Sequence, residues 1–142
     1  MELKYFSSLT GVKMDKNVMA MFQEYLREVP IVSSDLDFVE DPSDVGGLSN
    51  VVTYYTFKDS GVIIGVKEEI VESIHLHVKK NCLKLCVEGK GEINNKSTKE
   101  YILSLFGSPD KTGGGEGCRN FRFYRGMVFI CKRKNIHEYY FF

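Results

Sequence analysis

The stretch at residues 51–87 constrains this chain most, because its apolar residues recur at every second position. A period of two belongs to β-strands, whose side chains alternate between faces. Val51–Phe57 is rich in β-branched and aromatic residues, which suit a pleated, half-buried surface. Asp59, Ser60 and Gly61 follow as turn residues, with the glycine free to take positive φ. Residues 61–66 then predict a strand with Val62, Ile64 and Val66 on one face, and Lys67, Glu68 and Glu69 predict a charged turn. From Ile70 the alternation puts Ile70, Ile74, Leu76 and Val78 on the apolar face, with Val71, Ser73, His75, His77 and Lys79 opposite. Glu72 breaks the apolar set, so this strand is expected to enter the core only after it. Lys80 and Asn81 predict a tight turn, and residues 82–87 a returning strand with Leu83, Leu85 and Val87 inward. One apolar and one polar face imply an antiparallel sheet covered on one side.

The apolar face needs a cover, and two segments have helical spacing. Asp15 can cap a helix over 15–28, in which Val18, Phe22, Tyr25, Leu26 and Val29 form one stripe, with Met14, Met19 and Met21 around it. Pro30 is expected to end it. A capping box, Ser97 at the N-cap and Glu100 three residues on, predicts a second helix over 98–106 that stops at Gly107. Residues 3–9 read as a short edge strand, 33–50 and 89–95 as loops, and 110–117 as a flexible linker. That linker is not a phosphate loop, because its lysine precedes the glycines and a strand follows. Residues 121–124, 128–131 and 137–142 predict three closing strands, with turns near Gly126 and Asn135. The expectation is one α+β domain over residues 1–142, a mostly antiparallel sheet with about two helices packed on one face.

At 142 residues the chain can bury one ordinary core. It has no apolar run long enough to span a bilayer, no signal region at its start, and no paired-cysteine motif among Cys82, Cys86, Cys118 and Cys131. A cytoplasmic location with reduced thiols is therefore expected. Net charge is zero, but residues 1–78 carry 6 basic against 13 acidic side chains and residues 79–134 carry 13 against 5. Such a split bears on partners rather than on fold.

The candidate chemistry is sparse. With a hairpin turn at Lys80 and Asn81, His75 and His77 would share a face with Cys82 and Cys86, a donor set that suits zinc. Lys79 and Lys84 would sit in the same patch and repel a cation, so no metal and no cofactor are expected. A Cys86–His75 nucleophile pair would lack an oxyanion hole on a regular strand, and no carboxylate pair stands out, so the chain is not expected to be an enzyme. Arg119, Arg122 and Arg125 interleave with Phe121, Phe123 and Tyr124 ahead of Lys132, Arg133 and Lys134, so the basic-aromatic strands 119–134 are a candidate single-stranded nucleic-acid surface. Asp35, Asp37, Glu40, Asp41 and Asp44 crowd five carboxylates into ten positions. The ordinary reading is a solvated loop. The sharper one is a docking surface for a basic protein.

Three stretches carry a resemblance: residues 54–64 leading into 71–76, residues 105–114, and residues 121–130. In these the chain resembles the bacterial immunity proteins of contact-dependent growth inhibition and other polymorphic-toxin systems. The resemblance implies a cytoplasmic protein that binds the C-terminal domain of one cognate toxin, often a nuclease, and blocks its active surface without chemistry of its own. It implies neither a membrane partner nor nucleic acid as the ligand. The acidic residues Asp35, Asp37, Glu40, Asp41 and Asp44 are the toxin-binding candidates.

Overall fold

The computed structural model describes residues 3–36, 51–77, 85–94, 96–113, 118–123, 127–132 and 135–141. The elements run α1 (Leu3–Ser7), α2 (Lys16–Leu26), β1 (Ile31–Leu36), β2 (Val51–Phe57), β3 (Val62–Lys67), β4 (Ile70–His77), β5 (Leu85–Val87), β6 (Gly91–Ile93), α3 (Lys99–Phe106), β7 (Lys111–Gly113), β8 (Cys118–Phe123), β9 (Met127–Lys132) and β10 (Asn135–Phe141). Eight strands form one sheet in the order β1-β2-β3-β4-β10-β9-β8-β7, while β5 and β6 form a separate hairpin. Every pairing is antiparallel, so the α+β architecture expected from the alternation holds.

The core lies on one face of β2–β4. Phe57, Val62, Ile64, Ile74 and Leu76 are wholly buried there, beneath Phe6 of α1, Phe22 of α2 and Ile102 of α3. Each such side chain contributes roughly 1.5–3 kcal/mol relative to leaving it exposed. The β5–β6 hairpin adds Leu85 and Ile93 to the same cluster. Tyr5 ties α1 to α2 by stacking on Tyr25 at 4.3 Å and meeting Phe6 and Phe22 edge-on. Its hydroxyl is buried without a hydrogen-bond partner among the described residues, and burial, then the neighbouring Tyr25, raises its pKa.

The α2 cap is as expected: Asp15 takes the N–H groups of Asn17 and Val18, both at 2.9 Å. Its far end differs. Arg27 takes a left-handed conformation with φ 52°, so the chain has left the helix before Pro30 and Val29 stands 78% exposed instead of joining the apolar stripe. Met21 also faces partly outward, while Met14 and Met19 pack on the core.

Several expectations are corrected. Residues 3–9 do not form an edge strand: α1 occupies Leu3–Ser7, and the hydroxyls of Ser7, Ser8 and Thr10 donate to the carbonyls three residues back, closing successive turns. The linker at 110–117 begins with β7, and the loop at 89–95 contains β6, because Glu88, Gly89 and Lys90 turn the chain back on itself. Thr98, not Ser97, caps α3, taking the Tyr101 N–H at 3.2 Å. Ser97 is buried and accepts from Asn94 N–H at 2.9 Å instead. Gly107 ends α3 as expected, at φ 82°.

The faces of β4 also correct the simple alternation. Gly65 pairs with Ser73 but Val66 with Val71, which leaves Glu72 as an extra residue in β4. One added residue reverses the parity of what precedes it. Val71 is therefore wholly buried and Ile70 is 39% exposed, the reverse of an unbroken strand. The turn before it is a two-residue loop with Glu68 at φ 49° and Glu69 at φ 64°, a primed turn built without glycine. The segment after α1 braces it. Gly11 N–H donates to Val71 O at 2.7 Å, Met14 N–H to Glu69 O at 2.6 Å, and Lys13 pairs with the Glu69 carboxylate at 3.0 Å.

Candidate functional site

The route out of α2 positions the most exposed apolar feature among the described residues. After the left-handed Arg27, Glu28 turns its carboxylate toward the β2–β3 loop. There it accepts from Asp59 N–H at 2.8 Å, Ser60 N–H at 2.9 Å and Ser60 Oγ at 2.8 Å. Desolvation pulls the Glu28 pKa up, but these bonds and one from the Lys58 backbone outweigh it, and the group sits below the ordinary glutamate value. Pro30 then fixes its own φ and pushes Val29 toward extended backbone. The chain enters β1 already aligned beside the loop it has just clasped.

β1 pairs with β2 from Ile31 opposite Thr56 to Leu36 opposite Val51. It is the first strand in the sheet order, so among the described residues its other side meets no further strand. All of residues 31–35 are exposed, with Ile31 at 60% and Val32 at 58%. Ile31 and Val32 lie on opposite faces, so each face of the strand exposes an apolar side chain. Open backbone flanked by apolar side chains is a pairing template unless something covers it.

Of the acidic candidates, Asp35 falls on this edge, opposite Val52 and exposed, rather than in the loop expected at 33–50. Asp37, Glu40, Asp41 and Asp44 lie outside the described residues, but follow Asp35 directly in sequence. The opposite edge has another character. There β7 is three residues long, and β7, β8 and β9 carry Lys111, Arg119, Arg122 and Lys132 with no acid, Lys111 in register with Arg122.

The histidine–cysteine patch is not assembled. β4 has β3 on one side and β10 on the other, with His75 opposite Ile63 and Tyr140, and His77 opposite Glu138. Cys86 belongs to the other sheet, opposite Glu92. The hairpin that would have joined them fails because β10, from the far end of the chain, takes the place beside β4. Cys82, Lys84 and the expected turn at Lys80 and Asn81 lie outside the described residues. His75 Nε2 lies 3.3 Å from Ser73 Oγ, whose side chain and that of Tyr54 stand over the side-chain-free Gly65. Among the described residues no group of three or more histidine, cysteine, aspartate or glutamate side chains is placed to hold a metal, and no helix is long and apolar enough to cross a membrane.

Comparison with known proteins adds no relative. No family model matches the sequence, and neither a curated protein nor a solved structure does.

Sequence reasoning missed β1 because Ser33, Ser34 and Asp35 resemble loop composition. The signal that could have found it is Pro30 followed by Ile31 and Val32, since a proline commonly opens an edge strand.

Proposed function

We propose that this chain is a binding protein that neutralises a separately encoded toxin domain by covering its working surface, in the manner of bacterial immunity proteins. One observation carries the reading: an open, apolar edge strand, Ile31–Leu36, runs directly into the acid-rich sequence at 35–44. Apolar contact area supplies affinity, and carboxylates beside it favour a basic partner such as a nuclease by steering encounter and rejecting acidic surfaces.

The test changes Asp35, Asp37, Glu40, Asp41 and Asp44 together to the matching amides. Association with the toxin domain encoded beside this chain should slow about tenfold or more at low salt, and the difference should shrink as salt rises, because exposed charges are screened beyond about 8–10 Å at physiological ionic strength. Protection of cells expressing that toxin should weaken in parallel, while thermal stability holds. Full protection with unchanged association at low salt removes these residues from the contact.

The basic strands support a second reading, a small nucleic-acid-binding domain using residues 119–134. Lys111, Arg119, Arg122 and Lys132 gather on three adjacent strands. Binding to single-stranded RNA or DNA that falls steeply with salt, with no protein partner captured, would favour it.

A further inference from the structure

We infer that the β2–β3 loop is a receptor for a small monocarboxylate and that Glu28 is its built-in ligand, a latch that a carboxylate from solution can replace, freeing the start of β1. The inference goes beyond toxin neutralisation and does not rest on it. The receptor is a turn whose donors are already aimed. Phe57 pairs with Val62 across residues 58–61, and both side chains are wholly buried. Gly61 takes φ 70°, and its carbonyl accepts from His77 N–H at 2.8 Å. The loop is thus held from β2, β3 and β4, and none of these ties involves Glu28. Donors fixed in this way bind with little ordering cost.

The bonds to Glu28 divide between its two oxygens. Oε1 takes Asp59 N–H at 2.8 Å, while Oε2 takes Ser60 N–H at 2.9 Å and the Ser60 hydroxyl at 2.8 Å. A planar two-oxygen acceptor matches that division, and a halide meets only part of it. A doubly charged anion fits worse, because the charge of Lys58 in the loop is already offset by Asp59.

The ligand side is the movable one. Glu28 lies in the connection 27–30 between α2 and β1, flanked by the exposed Arg27 and Val29. The Ser60 hydroxyl has one proton, which serves Glu28 at 2.8 Å rather than Leu26 O at 3.4 Å. When Glu28 leaves, the hydroxyl can turn to Leu26. A carboxylate entering from solution makes the same bonds, and the displaced Glu28 side chain is hydrated in turn. The exchange therefore costs chiefly the advantage of the tether. What is lost is the link: the loop keeps an anion, but the start of β1 is no longer fixed to it.

The test compares sodium formate with sodium chloride at matched ionic strength. In Glu28→Ala, about 0.3 M formate should shift the Asp59 and Ser60 amide resonances saturably and raise the melting temperature by about 2 °C or more beyond its effect on wild type. Subtracting wild type removes the general stabilisation by the salt. Amide exchange at residues 31–33 should be about tenfold faster in the variant than in wild type, and formate should leave it fast, because a free anion refills the loop without rejoining it to β1. In wild type, about 1 M formate should speed exchange at 31–33 about twofold over chloride and leave β4 unchanged. That arm needs no substitution and decides the matter if Glu28→Ala does not fold. Phosphate should act more weakly than formate throughout. Asp59 and Ser60 resonances that do not respond in the variant, or a melting gain equal to that of wild type, overturn the receptor. Phosphate acting as strongly as formate overturns the monocarboxylate. Exchange at 31–33 that Glu28→Ala leaves unchanged, that formate restores in the variant, or that formate leaves untouched in wild type overturns the latch.

Discussion

β4 and β1 are built from similar material and meet opposite fates. Both carry β-branched residues together with polar ones. In β4, Val71, Ile74 and Leu76 are wholly buried, whereas in β1 Ile31 and Val32 are each more than half exposed. The difference lies in their neighbours. β4 has β3 on one side and β10 on the other, with the helices over its apolar face; among the described residues β1 pairs only with β2. Apolar content makes a strand, but position in the sheet decides whether that content stabilises the fold or remains available to a partner.

The largest effect should come from charging the two members of the displaced pair in β4. Val71→Asp places a carboxylate in the core and should cost about 4 kcal/mol or more, enough to unfold the chain or render it insoluble. Ile70→Asp should cost about 1 kcal/mol or less. Denaturant midpoints check both, and equal costs would mean that the extra residue at Glu72 does not reverse the faces.

Hydrogen exchange sharpens the contrast without mutation. Amides of β4 should exchange only through global opening, while those of β1 should exchange at least about a hundredfold faster through local opening. Uniform protection of both strands would show that β1 is bound into the fold as firmly as the centre.

Glu28 joins the two regions, so Glu28→Gln should release the start of β1. The expected loss is about 1–2 kcal/mol at neutral pH, below the value for a buried charged acceptor because solvent reaches the group. The folded pKa is depressed, so the clasp's charge-dependent stability is present above the ordinary glutamate pKa and is lost as pH falls through the folded value. Wild type and Glu28→Gln should therefore converge in acid, and a difference that persists there would count against the clasp.

The smallest effects sit at the extremes. Val32→Lys should change stability by no more than about 0.5 kcal/mol, since the side chain is already largely in water. Tyr5→Phe should be neutral or stabilising by up to about 1 kcal/mol, because it removes a buried hydroxyl that finds no partner among the described residues. Thermal melts resolve both signs.

What could be read in advance follows the same division. α2, α3, β2 and β3 declare themselves through period, cap and turn, since their residues face one fixed boundary between core and water. The closing strands were visible as runs, but nothing local says that β10 returns to lie beside β4, and that long-range pairing is what parts His75 from Cys86. Glu72 gives a hint as a charge in an apolar series, yet whether a strand starts late or carries an extra residue depends on its partner's register. β1 was missed for the physical reason that makes it interesting. A strand that buries neither face is under no pressure to alternate, so its sequence resembles a loop. Asp35 was singled out by charge alone and lies on a strand that charge does not reveal.

The strand order has one further consequence. Residues 51–77 and β1 carry Asp35, Asp59, Glu68, Glu69 and Glu72 against Lys58 and Lys67, and β7, β8 and β9 at the far edge carry only bases, so among the described strands the two ends of the sheet differ in charge. Opposite charge at the two edges of a sheet contributes a dipole along the strand order. In dilute buffer the chain should be retained on anion and cation exchangers alike, and its solubility should rise when salt is first added, as neighbouring dipoles cease to align.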